Sequence, residues 1–133
     1  LQKNGMTLRS LLAILGASAW VSINEFLRNQ ILLMPKWVAH YQSMGLEFPA
    51  APANGAVWGV WSLVFAGVIY ALLQKFSLRQ TTALSWVAGF VMMWLVVGNM
   101  GVLPFDVLPY AVPWSLLECF GAAWIIGKVD SKP

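Results

Sequence analysis

Residues 81–103, TTALSWVAGFVMMWLVVGNMGVL, carry no charged side chain. A helix of about 20 apolar residues crosses the ~30 Å hydrocarbon core of a bilayer, so this run is long enough to span one. It lacks the alternation of apolar and polar residues that a membrane β-strand needs. Lipid offers no partner to open backbone groups, which leaves the helix as the conformation that satisfies them. Pro104 follows directly and is read as the stop.

Three more runs outside this stretch have the same character. They cover residues of about 8–34, closed by Pro35, and of about 55–74 and 108–127. The expected fold class is an all-α integral membrane protein, a four-transmembrane-helix bundle in one domain, residues 1–133. Composition points the same way. Of 133 residues, 59% are hydrophobic and 10% charged, whereas a soluble domain carries about 25% charged residues. Too little polar surface remains to cover a water-soluble globule, which excludes a soluble enzyme and a disordered tail.

The net charge of +3 is spread over span ends rather than gathered on a basic face, so nucleic acid is not an expected partner. Lys3 and Arg9 precede the first span, Lys75 and Arg79 link the second and third, and Lys128 and Lys132 follow the fourth. With four spans these fall on one side, against Lys36, Glu47 and Asp106 on the other. The positive-inside rule then places both termini in the cytoplasm of a cell (inner) membrane protein. Lys3 and Arg9 before an apolar run also fit a signal peptide, but no clean small-x-small cleavage site precedes Asn24, Glu25 and Arg28. Partners are expected to be the bilayer and a candidate homo-oligomer. Cys119 is the single cysteine and His40 the single histidine. An intrachain disulfide is therefore impossible, and no metal or cofactor is expected.

The loop of residues 35–54 divides in two. Residues 36–42, KWVAHYQ, read as a short interfacial helix, and residues 49–55, PAAPANG, as a turn that is not helical throughout. Eight tryptophans are many for this length. Trp37, Trp58, Trp61 and Trp114, with Tyr41, map to the outer end, where amphipathic rings favour the headgroup level. Trp61-Ser62-Leu63 and Trp114-Ser115-Leu116 stand at equal distances from Lys75 and Lys128. That echo fits either a two-helix duplication or two spans solving one anchoring problem.

Polar residues within the spans carry the functional signal, because an ionisable group in lipid costs several kcal/mol. On a helix, Glu25 and Arg28 pair at i,i+3. Asn24 with Arg28, and Glu25 with Asn29, pair at i,i+4. Glu25 lies roughly 25 Å above Leu8, Asn99 roughly 25 Å above Ala83, and Glu118 roughly 15 Å below Leu108. If these faces converge, Glu25, Arg28, Asn24, Asn29, Asn99 and Glu118 line an outward-facing ligand or ion site. His40, Tyr41, Trp58, Trp61 and Trp114 would form its rim. No basic residue lies near Glu118 in sequence, so it needs a partner from the first span or a proton. Pro113 removes a backbone bond above it. The same residues could instead hold helices together through hydrogen bonds, or Arg28 could snorkel to the headgroups.

Three functions fit these residues. The first is a small binding protein or transporter that uses the pocket, with Glu118 as its proton-responsive group. The second is a non-catalytic membrane subunit or assembly factor. The third is a lipid-modifying enzyme with Glu118 or Glu25 as acid/base and His40 assisting. No nucleophile–base–orienter set stands out in the sequence, and the catalytic residues stay unassigned.

Overall fold

A computed structural model describes residues 6–131. Lys3 and Lys132, two of the charges counted above, lie outside the described residues. Helix α1 (Leu8–Phe26) continues into a π-helical turn, Leu27–Leu32. After Leu33 the short α2 (Met34–Ser43) begins, then α3 (Pro52–Leu73). Helix α4 (Leu78–Trp86), a second π-helical turn (Val87–Val91) and α5 (Met92–Asn99) form one continuous run. A 3-10 turn, Phe105–Val107, opens α6 (Leu108–Val129). Among the described residues there are five helical runs and no strand. Four of the five are long and apolar enough to cross a membrane: Leu8–Leu32, Pro52–Leu73, Leu78–Asn99 and Phe105–Val129.

Local chemistry explains where the helices start and stop. Thr7 caps α1, its Oγ1 accepting from the Ser10 amide at 3.1 Å. Ser77 and Gln80 form a reciprocal capping box at α4, which starts this run at Leu78 rather than at residue 81. The run ends at Asn99, short of Pro104. Gly101 takes a left-handed φ of 78°, and the Val102 amide donates back to the Val97 carbonyl at 3.1 Å. That geometry closes a helix before a proline is needed. Gly45, with φ 74°, ends α2 in the same way. Part of the expected turn is helical: Pro52 stands in the first turn of α3, and Asn54 Oδ1 accepts from the Ala51 amide at 3.0 Å. Helix α6 runs unbroken through Pro113.

Helix α1 packs chiefly against α6 and α3. Ala13, Ala17 and Val21 of α1 join Cys119, Ala122, Ala123 and Ile126 of α6 in one buried cluster. Most of these residues are small, which lets the two helices approach closely. Gly121 admits the Trp20 ring, since a Cβ there would lie 2.5 Å from two of its atoms. Gly89 admits Phe65 in the same manner.

Polar ties mark the two ends of the bundle. At one, Lys36 Nζ donates to Asp106 at 3.0 Å, and the His40 ring bonds the Gly101 carbonyl at 2.7 Å. At the other, Ser10 donates to Asp130 at 3.1 Å and accepts from the Tyr70 hydroxyl at 2.9 Å. Helix order puts Arg9, Lys75, Arg79 and Lys128 at this second end and Lys36 at the first.

Candidate functional site

The polar residues of α1 sit where the helix widens. Asn24 and Glu25 close the regular helix, and Arg28 and Asn29 lie in the π-helical turn. In a π turn the backbone bonds reach one residue further, and such turns recur at functional sites. Asn24, Glu25 and Arg28 are buried, and Arg28 is 3% exposed. The Arg28 guanidinium forks between two helices. Its Nη2 donates to Glu25 Oε1, and its Nη1 donates to Glu118 Oε1 of α6 at 3.3 Å. Asn29 Nδ2 donates to Glu25 Oε2 at 2.9 Å. Trp37 of α2 donates to Asn29 Oδ1 at 3.2 Å, which ties α2 to the cluster.

Glu118 is completely buried, and its Oε2 has no hydrogen-bond partner. A buried polar atom without a partner is uncommon in native proteins. The site therefore combines two carboxyls, one guanidinium and one vacant acceptor. The Arg28 guanidinium also lies 5.5 Å from the centre of the Phe90 ring, within cation–π range.

Two cavities flank this cluster. The larger, about 390 Å³, lies between α1 and the first turns of α3, beneath the loop of residues 49–52. Ser22, Glu25, Phe26, Asn29, Asn54 and Trp58 contribute to its wall, and no Lys, Arg or His does. The smaller, about 220 Å³, lies beneath α2. Arg28 and Glu25 line it with an aromatic set that includes Trp37, Tyr41, Phe48 and Trp94. Phe48 closes that set, stacking on Trp37 at 5.8 Å and meeting Tyr41 edge-on at 5.3 Å. Glu25, Asn29 and Trp58 line both cavities.

The expected site residues separate into groups. Glu25, Arg28, Asn29 and Glu118 come together. Asn24 is buried but works elsewhere: it donates to the Trp20 carbonyl at 2.8 Å and accepts from Trp114 Nε1 at 2.8 Å. Trp114 is thus a strut between α6 and α1. Asn99 is exposed at the end of α5 and lines neither cavity. Phe90, in the π-helical turn before α5, is buried, and nine residues at about 100° each turn Asn99 to the opposite face. Of the expected rim, Tyr41 and Trp58 line a cavity. Trp61 stacks on Phe65 at 4.9 Å instead, and His40 is engaged by Gly101.

Several contributors lie outside the expected set. Trp20 Nε1 donates to the Glu118 carbonyl at 3.0 Å, and Trp86 Nε1 donates to Ser115 Oγ at 2.9 Å. These indoles cross-link helices rather than reach for a headgroup layer. Ser62 and Ser115 of the sequence echo are both fully buried and return their hydroxyls to carbonyls of the preceding turn. Compared with protein-family models, curated proteins and solved structures, the chain matches none of them.

Proposed function

We propose that the chain is a multi-pass membrane protein that binds a small molecule in the cavities beside the Glu25–Arg28–Glu118 bridge and takes part in its transport. Both termini face the cytoplasm in this reading, on the strength of Arg9, Lys75, Arg79 and Lys128 at one end. The cavities then face outward, beneath α2 and the 49–52 loop. One observation carries the proposal: a buried charged bridge borders about 390 Å³ and about 220 Å³ of open space. A bridge that served only to hold helices together would be packed around, as protein interiors are. The larger volume lies in the range of small-molecule sites, which combine apolar walls with a few placed polar groups. A lipid-modifying enzyme has less support, because His40 bonds a backbone carbonyl and neither glutamate. At this size a full transport pathway would draw on a second copy.

Native mass spectrometry of the protein released from mild detergent tests this. A small molecule retained by the parent chain and lost from Gly59→Leu is the expected result. Gly59 lines the larger cavity, and a Cβ there meets nothing within 4 Å, so the added side chain starts in open space. A chain that retains nothing, or the same molecule in both proteins, overturns the reading. Cysteines placed in the 35–51 segment should react with an impermeant thiol reagent from outside, and labelling only from the cytoplasm would reverse the orientation.

A further inference from the structure

The bridge is one cation short. Glu25 and Glu118 offer two carboxyls, and among the described residues Arg28 is the single basic residue bonded to them. Among the described residues, no other element packed here supplies a counter-charge. Helix α3 contributes Trp58 and Ser62, the α4–α5 run contributes Phe90, Met93 and Trp94, and α2 contributes Tyr41. Beside Glu118 in α6 stands the Cys119 thiol, and His40 is held by Gly101. A buried cluster that carries an unpaired charge is costly, so the missing positive charge must come from a proton or a ligand.

Geometry says where each would go. Glu25 is shared: it bonds Arg28 on one side and lines the larger cavity on the other. Its two oxygens accept one bond each from Arg28 and Asn29, and an ionised carboxylate has about four acceptor positions. The wall of that cavity is acidic without a base, and the Trp58 and Phe26 rings complete it. Carboxylate with aromatic faces is the chemistry that recognises an organic ammonium group. Glu118 Oε2, meanwhile, is a vacant acceptor next to the fork of Arg28. A guanidinium can take both oxygens of one carboxylate in parallel bonds.

We propose that this site exchanges one organic cation for one proton, with Arg28 as the internal cation that changes partner. This rests on the binding function inferred above and names its substrate class. Without ligand, Arg28 bridges both acids and Glu118 holds the proton. When an ammonium group takes Glu25 from the cavity side, Arg28 turns to both oxygens of Glu118, and the proton of Glu118 leaves for bulk water. Each state is neutral: two carboxyls stand against Arg28 and a proton, or against Arg28 and the ligand. An anion has no place in either.

The test is calorimetric titration of the full chain in mild detergent with benzyltrimethylammonium, in two buffers of different ionisation enthalpy at one pH. The uncharged isostere neopentylbenzene is the control. Saturable binding of the ammonium, with about one proton released per cation, is expected. Glu118→Gln should bind without proton release. Glu25→Gln keeps one acceptor oxygen, for Arg28, and should weaken binding at least about tenfold, or about 1.4 kcal/mol. The exchange is overturned by equal binding of the isostere, by unchanged proton release from Glu118→Gln, or by no saturable binding of the ammonium. The binding function itself stands or falls separately, on whether Gly59→Leu loses a molecule that the parent chain retains.

Discussion

Arg28→Met is the sharpest probe of the bridge. Arg28 is 3% exposed, and its guanidinium contacts two carboxyls on two helices. At contact distance and an effective dielectric near 20, the Arg28–Glu25 ion pair is worth about 4 kcal/mol of Coulomb energy. Much of that offsets the cost of removing three ionisable groups from water. The loss on deleting one partner is set by the charges left behind, about 3–5 kcal/mol. Arg28→Met leaves Glu25 without its counter-ion and Glu118 without its donor, and should fall in that range. Glu118→Gln leaves Arg28 paired with Glu25 and keeps an acceptor near Oε1, so about 1 kcal/mol is expected. Replacing Glu25, Arg28 and Glu118 all by Met removes every charge at similar volume and should return stability to within about 1 kcal/mol of the parent, or above it. Reversible unfolding in mixed micelles of mild detergent and dodecyl sulphate measures all three. If Arg28→Met costs no more than Glu118→Gln, the guanidinium does not hold α1 to α6. If the triple variant is as unstable as Arg28→Met, the loss is one of packing and the charge argument fails.

Other variants test the frame around the site. Gly121→Ala forces a Cβ to within 2.5 Å of the Trp20 ring, and should cost about 1–3 kcal/mol and alter the near-ultraviolet circular dichroism of the indoles. Trp37→Phe keeps the stack on Phe48 but loses the bond to Asn29; about 1 kcal/mol should be lost, seen as faster amide exchange in α2. Lys36→Ala should change stability by less than about 0.5 kcal/mol, because the Lys36 and Asp106 side chains are 37% and 61% exposed.

The four apolar runs were legible because hydropathy is additive along a chain and needs no knowledge of neighbours. So was the pairing of Glu25 with Arg28, which depends only on helical spacing. Helix ends were read less well where glycine or a cap acts before proline. Gly101 closes α5 ahead of Pro104, and Ser77 starts α4 ahead of Thr81. Partners distant in sequence were not legible. That Arg28 reaches Glu118, and Trp114 reaches Asn24, depends on how α1 and α6 rotate against each other. Asn99 failed to join the site for the same reason: depth can be counted along a helix, but facing is fixed by the residue that packs, here Phe90. Assigning Trp114 to the headgroup level did not show that an indole N–H between helices seeks an acceptor there, as Trp114 finds in Asn24.

The small-residue seam between α1 and α6 bears on how freely the chain can vary. Inside the bundle lie 44% and 39% of the residues in the apolar windows of the runs that hold α1 and α6, against 22% and 17% for α3 and the α4–α5 run. In the membrane reading proposed above, one greasy side chain on the outer faces of the latter two serves as well as another, and the identity of a residue carries little information. Along the seam a residue is constrained by size. Ala17, Ala122 and Ala123 are fully enclosed, so leucine would intrude there although it is the more hydrophobic residue. In a scan of every substitution, tolerance along α1 and α6 should therefore follow side-chain volume, and along the other two runs hydropathy. The first two helices would read as a mechanical fit and the others as a solvent-matched coat.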